Sequence, residues 1–129
     1  MSIEYVIIPE HRLVHVRISG HVKMADHVEH FRKLSLDSGY TRPMRKLMDY
    51  RGCTHYEVNA RGERGIAREY ARYADVFAGE QCAIFAPEPH VFGMKRIYQA
   101  VSEQSGMETS VFAELKDALE WLGLGSIRL

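Results

Sequence analysis

The apolar residues of this chain switch repeatedly between a period of two and a period near 3.6. That alternation restricts the fold more than any other feature. Ile3 to Ile8 has strand character, Pro9-Glu10-His11 forms a turn, and Arg12 to Ser19 alternates again. Val14, Val16 and Ile18 occupy one face of that second strand, with Leu13, His15 and Arg17 on the other. Gly20 ends it. Met24, Val28, Phe31 and Leu34 then recur at helical spacing and predict a helix from Met24 to Asp37, favoured by Asp26 and Glu29 near its start and stopped by Gly39. Arg45 to Tyr50 is a short third strand. A long second helix is expected from Asn59 to Ala78, with Ile66, Tyr70, Ala74 and Phe77 inward and a start weakened by Gly62 and Gly65. Gln81 to Ala86 is a buried fourth strand. A third helix enters through Pro89 and runs to Gln104, Glu108 to Phe112 is the last strand, and Ala113 to Leu122 is a short amphipathic helix.

The predicted order is ββαβαβαβα, a single α/β domain over 1–129. Right-handed βαβ crossovers make strands two to five parallel, so the sheet is mixed and mostly parallel, with an antiparallel N-terminal edge strand. Ligands of such sheets approach the carboxyl ends of the strands, which here carry Gly20-His21, Asp49-Tyr50-Arg51, Ala86-Pro87 and Phe112. At 129 residues with 46% hydrophobic residues, the chain is large enough for a core of its own.

Charge narrows the partners. Lys plus Arg and Asp plus Glu both number 17, so the net charge is zero and general nucleic-acid affinity is not expected. Cys53 and Cys82 are too few for a disulfide framework and lack metal-ligand spacing. The N-terminus lacks the features of a signal peptide and no apolar run is long enough to cross a bilayer, so a cytoplasmic location is expected. Low net charge and the edge strand make a homodimer plausible.

The hairpin closing in VRISGHV, the strand end LMDYRG, the helix HVFGMKRIYQAV and the ending SVFAELKDALEWL resemble the SpoIIAA-like, STAS-type domains, including small bacterial proteins grouped as STAS/SEC14-like. The resemblance spans nearly the whole chain and is carried by element order with Gly20, Asp49, Phe92-Gly93 and Ala118-Leu119-x-Trp121-Leu122. It implies a regulatory module that binds a protein partner, or a SEC14-like carrier of a lipid or other apolar molecule. In anti-anti-sigma members a serine just after the third strand is phosphorylated. Here that turn is Asp49-Tyr50-Arg51-Gly52, and the serine is missing.

Asp49 to His55 is the densest chemistry in the chain. It is a candidate binding loop in which Asp49, Tyr50, Arg51, Thr54 and His55 act with Phe92, and Arg51 is suited to a carboxylate or phosphate. The simpler alternative is that Asp49 only holds the turn. For an apolar ligand, Tyr50, Phe85 and Phe92 are candidate pocket walls. Arg61, Arg64, Arg68 and Arg72 form a basic ridge on the second helix, read either as a site for phosphate groups or an acidic partner, or as a solvated face paired with Glu63, Glu69 and Asp75. Cys53 and His55 lack the third group of a catalytic arrangement, so no enzyme is expected. His27 and His30 stand three apart on a helix, a spacing that can hold a metal. Without an evident further ligand they belong to a solvated face, and neither metal nor cofactor is expected.

Overall fold

The computed structural model describes residues 2–129. A hairpin of β1 (Ile3–Ile8), a 3-10 turn (Pro9–His11) and β2 (Leu13–Lys23) leads into α1 (Met24–Ser35) and β3 (Arg45–Glu57). Then come α2 (Ala60–Arg72), α3 (Ala74–Phe77), β4 (Gln81–Phe85), α4 (Pro89–Gln104), β5 (Glu108–Phe112) and α5 (Leu115–Trp121). Spatial strand order equals chain order, β1-β2-β3-β4-β5, with β1 antiparallel to β2 and every other pair parallel. This is the mixed five-stranded α/β sheet that the periodicity predicts, and β1 is its antiparallel edge. No helix among the described residues is long and apolar enough to cross a membrane.

Strand alternation sorts the apolar residues onto two faces. Val14, Val16, Ile18, Met48, Tyr50, Cys82 and Ile84 pack with Phe31 and Leu34 of α1, Ile66 and Tyr70 of α2, Phe77 of α3 and Val91 and Tyr98 of α4. Their strand neighbours Leu13, Leu47, Ala83 and Phe85 face the other way, onto Ala118 and Leu119 of α5 and Leu122 just after it. Burying such side chains contributes roughly 1.5–3 kcal/mol each, which drives the layering. Because α5 alone serves the second face, the sheet there stays open around Arg17, Ser19 and Arg51, all exposed.

Three local expectations need correction. β2 does not end at Gly20: Gly20 takes φ 68, a left-handed conformation, and the strand goes on to Lys23. β3 likewise continues past Tyr50 to Glu57, because Ser19–Lys23 supply a pairing partner for Gly52–Glu57. Asp49 to His55 is therefore strand, not loop. The single helix from Asn59 to Ala78 is in fact two. Asn59 caps α2 by accepting the Gly62 N–H at 2.8 Å, and the backbone breaks at Tyr73, whose ψ of 24 leaves the helical range.

Candidate functional site

In an extended strand, neighbouring side chains point to opposite faces, and this disperses the expected binding loop. Asp49 lies on the open sheet face, 4% exposed, where His15 Nε2 donates to its Oδ2 at 3.0 Å. Arg51, on the same face, donates from Nε at 3.0 and 3.1 Å and from Nη2 at 2.6 Å, and its guanidinium stacks on Phe85 at 5.5 Å. Burial works to raise the Asp49 carboxyl, but the hydrogen bonds from His15 and Arg51 outweigh it and hold the group well below its ordinary value. Asp49 is thus a satisfied anchor, and Arg51 is committed to it rather than waiting for an anion.

Tyr50 points the other way, into the main core. His27 Nδ1 lies 3.0 Å from the Lys23 carbonyl, which can only accept, so Nδ1 carries the proton and Nε2 accepts from the Tyr50 hydroxyl at 2.8 Å. Burial, reinforced by the charge of Lys95, pushes the His27 pKa down to about 3. His27 and His30 are accordingly buried and neutral, not solvated. The true apolar stripe of α1 runs through His27, His30, Phe31 and Leu34, while Met24 is exposed. The triad Tyr50, Phe85 and Phe92 lines no common pocket: Phe85 belongs to the opposite face, and Phe92 is half-buried on α4.

Two buried ion pairs, unforeseen from the sequence, sit among these aromatics. Lys95 Nζ donates to Glu63 Oε1 at 3.0 Å, and the Tyr56 hydroxyl donates to Glu63 Oε2 at 2.5 Å. Glu63 is therefore no member of a solvated face. Glu80 accepts from the hydroxyls of Tyr40 and Tyr70. Lys46 Nζ stands 3.1 Å from Glu80 Oε1 without the alignment of a hydrogen bond, over the rings of Phe77 at 4.5 Å and Tyr70 at 5.0 Å. A detectable signal existed: Glu63 and Lys95 fall in phase with the apolar stripes of α2 and α4, and Lys46 shares the parity of Met48 and Tyr50.

The carboxyl ends of the strands carry the concave surface. A cleft of about 560 Å³ lies between the end of β3, the start of α2 and the first turns of α4. Met24, Val58 and Met94 give it apolar walls, and Glu57, Asn59 and His90 supply polar groups. A second concavity, about 390 Å³, shares His90 with it and is lined by Cys53, Thr54 and His55 together with Glu88. Thr54 and His55 therefore do meet a hollow, though not one that Asp49 or Arg51 lines. Burial pushes the Cys53 thiol up, the opposite of an activated nucleophile. Arg61, Arg64, Arg68 and Arg72 are all exposed, and Arg72 pairs with Glu69 at 3.1 Å. Arg61 and Arg68 flank a shallow groove of about 370 Å³ beside Met24.

Compared with known proteins, the chain matches no family model, no curated protein and no solved structure.

Proposed function

We propose that this chain is a non-enzymatic binding module of the STAS type, which receives a small ligand or a segment of a partner protein at the carboxyl end of its third strand. The observation that carries this reading is the cleft of about 560 Å³ at that end, a size suited to small-molecule recognition. It lies at the carboxyl end of β3, the end at which open α/β sheets bind ligands, and is formed by the extended β3 and the starts of α2 and α4 rather than by a reversal of strand order. The buried charges nearby are already paired with one another, and the Cys53 thiol is held protonated, so the arrangement favours binding over turnover. A phosphoswitch is disfavoured, because Asp49-Tyr50-Arg51-Gly52 contains no serine and lies within β3.

A second reading, a SEC14-like carrier of an apolar molecule, is favoured by one observation: Met24, Val58 and Met94 form the walls of the same cleft. Native mass spectrometry of protein purified from its source separates the two. An extractable lipid adduct supports the carrier, and a protein captured by the apo chain supports the partner-binding module. Met94→Trp fills the cleft and should abolish either interaction while the circular dichroism spectrum is retained. Binding that survives both Met94→Trp and His90→Ala removes the cleft from consideration, and turnover of a bound molecule overturns the non-enzymatic reading.

A further inference from the structure

Beyond Asp49 the β2–β3 pair loses its other neighbours, since β4 pairs only with Arg45–Asp49 and β1 only as far as Ile18. What remains is a two-stranded ribbon whose register is shifted twice, once between Arg17 and Ser19 and once between Gly20 and His21. Each shift places an additional β3 residue against β2. Had the Arg17–Asp49 register simply continued, His21 would face Cys53; with the shifts it faces His55. Irregularities of this kind re-aim side chains, and they concentrate beside functional sites.

The re-aimed residues form a donor set. His21 and His55 stack with ring centroids 4.3 Å apart and planes 10° from parallel. Glu57, two residues along the same strand, reaches back so that its Oε1 lies 2.9 Å from His21 Nε2. One ligand atom from each of the three residues falls within 4.8 Å of the other two. We propose that His21, His55 and Glu57 bind a divalent transition-metal ion of the zinc type. Two imidazoles and a carboxylate are a borderline donor set, better suited to zinc than to calcium or magnesium, which take oxygen ligands. Tetrahedral zinc with bonds of about 2.0–2.2 Å requires donors roughly 3.3 Å apart. The parallel rings must therefore tilt toward a common centre and Glu57 must release its bond to His21. All three side chains are exposed, so no packed contact opposes that movement. Three protein ligands leave one position open, as in zinc sites that hold a water or an exchangeable ligand. Glu57 also lines the cleft, so the proposed site adjoins it.

The test uses tag-free full chain titrated with Zn²⁺ by calorimetry and with Co²⁺ by visible absorption. One ion per chain is expected, with a tetrahedral cobalt spectrum. His21→Ala, His55→Ala and Glu57→Gln should each weaken binding by more than about tenfold, the loss that even an outer-shell change can produce. His11→Ala, which alters an exposed histidine at the opposite end of β2, should leave it unchanged. Failure of the unaltered chain to bind either ion stoichiometrically overturns the proposal. So does undiminished binding in the His21→Ala/His55→Ala double variant, whose fold is checked by circular dichroism.

Discussion

Lys95 of α4 and Glu63 of α2 meet at 3.0 Å with side chains 2% and 0% exposed. The ammonium also lies over the Tyr98 ring at 4.1 Å, and the remaining carboxylate oxygen is occupied by Tyr56. Withdrawing two charges from water costs several kcal/mol each, and such a pair persists only when geometry and hydrogen bonds offset that cost. Here they also align two helices over the core face of the sheet.

Removing one partner should therefore be worse than removing both. Lys95→Met strands a buried carboxylate and is expected to lower the unfolding free energy by about 3–5 kcal/mol. Adding Glu63→Leu in the same chain should recover a large part of that loss. Urea unfolding of both single variants and the double variant checks it. Purely additive losses would show that the two groups act independently.

Stability should decline in mild acid because of His27. Its folded pKa of about 3 lies below the ordinary value of about 6.5, so between those limits the unfolded chain binds a proton that the folded chain does not. This contribution is fully present above pH 6.5 or so, is lost as pH falls, and levels off near pH 3; it is on the order of 5 kcal/mol in all. His30, also lowered by burial, acts in the same direction. His27→Gln, which cannot titrate, should flatten the profile of stability between about pH 6.5 and 4.

Asp49 should matter more than the arginine that contacts it. The Arg51 side chain is 46% exposed, and Arg51→Ala is expected to cost about 1 kcal/mol or less. Asp49→Ala removes a buried acceptor from His15 and Arg51 together and should cost about 2 kcal/mol or more. Thermal or denaturant unfolding ranks the two. The reverse order would mean that the guanidinium, not the carboxylate, organises this corner.

Gly20→Ala tests the turn in β2. A Cβ there meets nothing within 4 Å, so any loss comes from the φ of 68 alone. About 1–2 kcal/mol is expected. Gly93→Ala, equally open in space but with ordinary helical φ, should be neutral or slightly stabilising, and calorimetric melting of both variants makes the comparison.

The element order and the parallel or antiparallel sense of the strands were legible in the sequence, because strand periods alternate with helical ones, the first two strands are joined by a short turn and each later pair by a helix; the spatial order of the strands was not. The phase of α1 was not. Met24 and Val28 look like core residues by hydropathy, yet the buried positions are His27 and His30, whose polar atoms are tolerated only because of partners such as Tyr50. The length of β3 was hidden for a similar reason. Polar residues from Arg51 to His55 have loop composition, and only pairing with the equally unremarkable Ser19–Lys23 makes them a strand. The same loop-like composition conceals the pairing of His21 with His55, which depends on two register shifts that local pattern does not encode. The charged members of the core were readable in principle: a Lys or Glu in phase with an apolar stripe demands an opposite charge elsewhere in phase with another.

Chain order and spatial order coincide in this sheet, so during synthesis each new strand finds its neighbour already in place. The two buried ion pairs do not close on the same schedule. Lys46 waits for Glu80, and Glu63 waits for Lys95, so a nascent chain that stops before α4 holds an acid in its interior with nothing to neutralise it. The final helical crossover therefore acts as a latch, and shortened chains ending before Pro89 should remain open and protease-sensitive however complete their first four strands are.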